Sequence, residues 1–318
     1  MSTMKIRDAS LYVEVSGQGP PLLLMHGGPG LDHVSLTPFR ELADRHTVVL
    51  YDHRCNGRST GAPVTSMTWE NLTADADALR EELGFQRWAV LGHSFGGHVA
   101  LEYALRYPAS VSNLILVNTA GDAWWSREHA AEIVERRGYG SDLAERTRRF
   151  FTGQIDPQDM MPTLMRLRNA YHHRRGLSLA WLMIRDVLAG EWRTRVRAEP
   201  LIQAGRVLTP GWTVMDRLGE ILAPTLVLGG RDDFLFPPEC QAQLAAGIPG
   251  ARLRIIERAG HNPHSEEPER TMAEIKDFLR ETRVPARTAA KTAASAPIPV
   301  TEARPHRRAG TAGVLTGA

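Results

Sequence analysis

Cysteine is scarce: Cys55 and Cys240 are the only two in 318 residues. They lie far apart and show neither metal nor redox spacing. That excludes a disulfide scaffold and predicts a reduced protein with free thiols, expected in the cytoplasm. Long apolar runs are missing too. The run at 21–25 is strand-sized, far short of the roughly 20 residues of a membrane span. The N-terminal MSTMKIRDAS has no apolar core of the kind a secretory signal needs, so none is expected. Charge of one sign is equally lacking, at a formal net of +2. Residues 283–318 carry six basic side chains and one acidic, which leaves the first 282 residues at −3. A basic tail on a mildly acidic body is not the basic face of a nucleic-acid binder. Neither nucleic acid nor membrane is expected as a partner. The tail is rich in Ala, Thr, Pro and Arg and poor in large apolar residues, which predicts disorder.

What is present is an alternation of strands and helices. Residues 4–15 alternate apolar and polar, as one exposed antiparallel strand does. Continuous apolar runs at 21–25, 47–51, 88–91, 114–117 and 225–228 suit strands buried on both faces of a parallel sheet. Helical spacing recurs near 68–83, where Thr68 opens a helix, and at 96–106 and 266–280. The pattern predicts an α/β fold with a mostly parallel sheet covered by helices. It breaks between 121 and 212, a stretch without a clear strand that holds five of the seven tryptophans. The reading is a core of 1–120 and 213–282, a helical cap over 121–212 and the tail from 283.

Gly92-His93-Ser94-Phe95-Gly96 matches G-x-S-x-G. Its context carries the weight, because it follows the apolar run WAVL and opens a helical one. That is the strand–turn–helix of a nucleophile elbow, with Ser94 at its tip. A serine hydroxyl needs a base, and the base needs an orienter. Downstream, Asp232 and Asp233 sit in a strand-end loop after TLVLGG, and either carboxylate suits the second role. His261, after the strand-like 253–257 and in the last loop before the final helix, suits the first; His264 is its rival. His26-Gly27-Gly28-Pro29-Gly30 follows the strand at 21–25 and exposes backbone N–H groups. It contains no Gly-Lys-Ser/Thr and no dinucleotide fingerprint, so a phosphate cradle is excluded there. Its use is an oxyanion hole, each donor worth about 3 kcal/mol of barrier. The donors expected are the N–H of Phe95 and that of Gly28, with Gly27 as the alternative.

HGGPG, then Asp52-His53-Arg54-Cys55-Asn56-Gly57-Arg58-Ser59, then GHSFGG, Gly230-Arg231-Asp232-Asp233 and Gly260-His261, in this order, resemble proline iminopeptidases and their α/β-hydrolase relatives. The resemblance covers roughly 1–282. It implies an eight-stranded sheet with a helical cap inserted after the sixth strand. It implies a catalytic triad of Ser94, Asp233 and His261, and no metal or organic cofactor. The chain departs from the family pattern at Cys55, where glycine is common, and at Phe95, where tryptophan often follows the nucleophile. Asp52 and Arg54 are expected to form an ion pair or anchor a loop.

The resemblance implies removal of an N-terminal residue from a short peptide or amide. Such an enzyme must hold an ammonium, yet 121–212 carries fifteen arginines against eleven acidic residues. Glu191 is the candidate carboxylate, and Trp124 and Trp192 are candidate walls of the substrate site. The tryptophans and the basic balance also suit esterase or lactonase action on small apolar acyl groups. A hydrolase-fold binding protein without turnover is the remote alternative.

Overall fold

Period-two alternation decides how the sheet divides its core. The structure, a computed structural model, describes residues 2–174, 184 and 195–282. The predicted tail at 283–318 lies outside the described residues. Strands β1 (Ser2–Ile6), β2 (Ala9–Ser16), β3 (Pro21–Met25), β4 (Thr47–Tyr51), β5 (Trp88–His93), β6 (Val111–Val117), β7 (Thr225–Gly230) and β8 (Arg252–Ile256) form one sheet. Helices α1 (Trp69–Glu82) and α2 (Phe95–Arg106) follow β4 and β5. Between β6 and β7 lie α3 (Ala130–Arg136), α4 (Ser141–Phe151), α5 (Pro157–Tyr171) and α6 (Ala198–Gln203), and α7 (Pro238–Gly247) and α8 (Pro268–Glu281) flank β8.

Leu22 and Leu24 of β3 point to one face, Leu23 and Met25 to the other. Val48 and Leu50 against Val49 and Tyr51 divide β4 in the same way. Successive side chains of a strand point to opposite faces, so an unbroken apolar run fills both. One face is sealed by Leu72, Ala76 and Leu79 of α1 and Val99, Ala100 and Tyr103 of α2. The other is sealed by Leu36, Phe39 and Leu42 of the 3-10 turns at His33–Asp44 and by Ile275 and Phe278 of α8. Thr68 opens α1 as expected: its hydroxyl accepts from the Asn71 N–H at 3.2 Å, satisfying one of the helix's orphan donors.

The first expected strand needs correction. Residues 4–15 are not one strand but a hairpin, β1 and β2 paired antiparallel with Ile6 opposite Ala9. Arg7, at φ 53°, makes the turn. Inward residues fall at 6, 9, 11 and 13, and the single step of three between 6 and 9 marks the reversal.

The sheet order is β1-β2-β4-β3-β5-β6-β7-β8, antiparallel across β1, β2 and β4 and parallel beyond. The chain runs outward from β3 to β4, then returns to the other side of β3 for β5. Between β3 and β5 the winding reverses, and a crevice opens beyond their carboxyl ends. The helical stretch between β6 and β7 is tied at its base, where Asp122 and Thr213 form an antiparallel bridge. The Val214 N–H also reaches the Gly121 carbonyl at 2.7 Å.

Candidate active site

The candidate groups sit on the segments that leave the carboxyl ends of the parallel strands β3 to β8. Ser94 follows β5. Its backbone is at φ 54°, ψ −122°, a region that costs a non-glycine residue energy and persists only where the surroundings hold it. They do: the Ser94 N–H is bonded to the Val117 carbonyl at 3.0 Å, and its own carbonyl accepts from the Gly97 N–H and the Thr119 hydroxyl, each at 2.8 Å. Gly96 is glycine because a Cβ there would lie 2.1 Å from the Met25 carbonyl oxygen of β3. The elbow is wedged between two strand ends, with Ser94 half-buried at its tip.

Asp233, in the loop after β7, is buried. Its Oδ2 lies 2.9 Å from His261 Nδ1 and accepts from the Asn118 amide at 2.6 Å. Its Oδ1 accepts from the Leu235 N–H at 2.9 Å. Asp232 points elsewhere, pairing with His173 Nδ1 at 2.7 Å near the surface. Of the two adjacent carboxylates, only Asp233 orients a buried imidazole. His264 is buried against Phe39 with Nε2 3.1 Å from the Ser35 carbonyl. His261 is the histidine that meets the carboxylate, and its N–H is held by the Tyr171 carbonyl at 2.7 Å. With Nδ1 on Asp233, Nε2 is the ring nitrogen left for another partner, and His261 and Ser94 line one cavity.

That cavity encloses about 300 Å³. Gly27 and Gly28 lie at its Ser94 end, and Gly27 packs so closely that a Cβ on it would sit 2.8 Å from the Ser94 Cβ. The glycine loop is braced from below. His26 accepts from the His53 N–H at 3.1 Å through Nε2, and burial keeps its imidazole below the ordinary histidine range. Asn56 accepts from the Gly30 N–H. Asp52 receives the N–H groups of His33 and Arg58 at 3.0 and 2.7 Å. Arg54 bonds Asp75 and Asp8 rather than Asp52. Asp52 and Arg54 thus anchor the loop through separate partners. Cys55 sits at φ 66°, in the left-handed region where glycine is free of strain, which explains the family's preference at this position.

The far wall comes from the helical stretch: Phe150 and Phe151 of α4, Leu164, Arg168 and Tyr171 of α5, Leu201 of α6. Trp124 is not part of it. It is 52% exposed and meets Trp125 and His129 edge-on, because the turn that begins there points Ser126 inward instead. Glu191 and Trp192 lie outside the described residues. Sequence reasoning missed Asn118, Tyr171 and His98. Asn118 follows β6 at φ 47°, a conformation asparagine tolerates well, and that strand-end position was its one available signal.

Residues 20–268 match the family model for the alpha/beta hydrolase fold. The chain belongs to this family. It is 28% identical over 276 residues to the "Putative carbamate hydrolase RutD" of Rhizobium rhizogenes, covering 85% of this chain and 98% of that one. The crystal structure of a proline iminopeptidase from Mycobacterium smegmatis superposes with a TM-score of 0.69 at 26% identity, over 88% of this chain and 98% of that one. A thermophilic esterase from Thermogutta terrifontis gives 0.61 at 29% identity, over 89% and 97%. The expected kinship and the eight-stranded sheet with flanking helices therefore hold. The chain is an α/β-hydrolase of the carbamate hydrolase, proline iminopeptidase and esterase type.

Proposed function

We propose that this hydrolase cleaves small esters with mainly apolar acyl groups, through an acyl-enzyme on Ser94. The helical stretch 121–212 acts as the cap that shapes the acyl pocket. His261 Nε2 takes the Ser94 proton as Oγ attacks the carbonyl. The N–H groups of Phe95 and of Gly28, with Gly27 beside it, hold the oxyanion. His261 then protonates the leaving alcohol, Asp233 stabilises the imidazolium, and water releases the acid.

One observation favours an ester over an N-terminal peptide. Among the described residues, no carboxylate lines the cavity, while Arg168 and His172 do. Among these residues a substrate ammonium finds no counter-charge and faces a guanidinium at the wall, an arrangement that disfavours it. Prolyl cleavage remains the second reading, supported by the HGGPG and DHRCNGRS motifs and by the M. smegmatis likeness.

The test is hydrolysis of p-nitrophenyl butyrate and proline p-nitroanilide side by side, with Ser94→Ala as control. Ester turnover that disappears in the variant supports the proposal. Anilide turnover without ester turnover replaces it with the prolyl reading.

A further inference from the structure

Resting on the ester reading, one residue of the pocket has chemistry that reading leaves unused. His98 lies one turn along α2 from Ser94, about 6 Å along the helix axis, and lines the same cavity. It is 3% exposed, and neither ring nitrogen has a hydrogen-bond partner. Its surroundings are aromatic, with Trp212 at 4.5 Å between ring centroids, Phe236 at 5.8 Å and Phe95 at 6.1 Å. Burial alone pulls its pKa down to about 3, so the imidazole is neutral. Two other polar groups of the lining are already engaged: the Ser126 hydroxyl donates to the Ala123 carbonyl, and the Thr209 hydroxyl donates to the Ala204 carbonyl. A buried donor and acceptor left unmet is costly, and a folded chain rarely keeps such a group without a use for it.

We propose that His98 is the polar end of the acyl pocket and receives a hydroxyl carried on the acyl chain, so that the preferred substrates are short hydroxyacyl esters. A neutral imidazole carries one N–H and one lone pair, so a ligand that reaches either buried nitrogen meets one or the other, depending on tautomer. A hydroxyl meets both, whereas a carbonyl meets only the first. A carboxylate would have to shed its water against a neutral ring among aromatics, which is unfavourable. The short distance from Ser94 places the hydroxyl near the third carbon of the acyl group.

The test compares p-nitrophenyl 3-hydroxybutyrate with its near-isosteric partner, p-nitrophenyl 3-methylbutyrate. The wild type is expected to favour the hydroxy ester by about tenfold or more in kcat/KM, because a site with unmet polar groups rejects the analogue that leaves them so. His98→Leu inverts the preference, His98→Gln restores part of it, and His98→Leu melts no lower than the wild type because two unmet groups leave the core. Equal ratios in wild type and His98→Leu overturn the proposal. A second measurement needs no turnover: calorimetric binding of 3-hydroxybutyramide and 3-methylbutyramide to Ser94→Ala protein with His98 intact. Tighter binding of the hydroxy amide supports the proposal even if the wild type cleaves neither ester, a result that would sink the ester reading alone. Equal binding overturns the proposal even where esters are cleaved.

Discussion

The loops at the strand ends and the helical stretch between β6 and β7 are built on different physics. In the first, every candidate catalytic group is fixed by backbone or charged hydrogen bonds: Ser94 to Val117 and Thr119, Asp233 to Asn118 and Leu235, His261 to Tyr171 and Asp233. In the second, charges meet at the surface. Glu145 pairs with Arg148 and Arg149, and Asp142 with Arg146 and Arg166, all well exposed except the half-buried Arg146. Exposed pairs contribute little to stability and are screened by salt. The stretch stays in place through its apolar side, where Phe150, Ile155, Met160 and Leu201 cluster. That same side forms the wall of the acyl pocket. On the proposed function, chemistry is set by the strand-end loops and selectivity by the stretch whose surface is free to change.

Substitutions separate the two regions by the size and kind of their effect. On the strand-end side, Asp233→Asn is expected to lower kcat about 10⁴-fold by removing the imidazole's orienter. Asp232→Asn, one residue away but paired to surface His173, should change it less than threefold, within the small value of an exposed ion pair. The reverse order in steady-state kinetics would exchange the two roles. Asn118→Ala should cost about 10- to 100-fold, from the roughly 1.5–3 kcal/mol of a hydrogen bond to a charged group. That loss should fall on kcat rather than KM, since Asn118 touches the carboxylate and does not line the cavity. In the helical stretch, Leu164→Ala enlarges the pocket by about three methylene-sized groups. It should shift preference from butyrate toward hexanoate esters by about tenfold or more, at roughly 1–3 kcal/mol per methylene accommodated. An unchanged chain-length profile would remove Leu164 from the acyl wall.

The smallest effect concerns charge. Burial disfavours the charged His33 imidazole, but hydrogen bonds to Asp52 and Glu14 outweigh it and hold the pKa up at about 9. Burial likewise pushes Asp52 upward, and the His33 contact overcomes this and brings it to about 2. His33 binds its proton more tightly folded than unfolded, so its contribution is full below about pH 6.5 and is lost as pH rises through about 9. Asp52 contributes above about pH 4 and loses that contribution as pH falls through about 2. The melting temperature should therefore be highest between about pH 4.5 and 6.5 and decline toward pH 9. His33→Gln should flatten the alkaline decline. A decline that persists in the variant would assign it to other groups.

Local chemistry was legible in the sequence where it repeats over short distances. WAVL followed by GHSFGG announced strand, elbow and helix, and Thr68 announced the start of α1. The choice between Asp232 and Asp233 was not legible from the residues, because what decides it is Asn118, 115 positions away. Family spacing favoured Asp233, the carboxylate that meets His261 in the fold, where the local pattern left the two open. Trp124 shows the limit in the other direction. An aromatic residue in a helical stretch reads as a wall, but which way it points is set by what the helix packs against. The same holds for His98, which looks like an ordinary histidine four residues after Ser94 until the fold closes aromatic rings around it.

The central claim is that Ser94 is the nucleophile, and covalent labelling tests it most directly. The intact protein would be treated with a fluorophosphonate, and the modified residue located by peptide mass spectrometry. The account predicts one adduct on Ser94, absent from Ser94→Ala protein that keeps the wild-type melting temperature. No adduct on folded protein, or one at another residue that persists in Ser94→Ala, would contradict it.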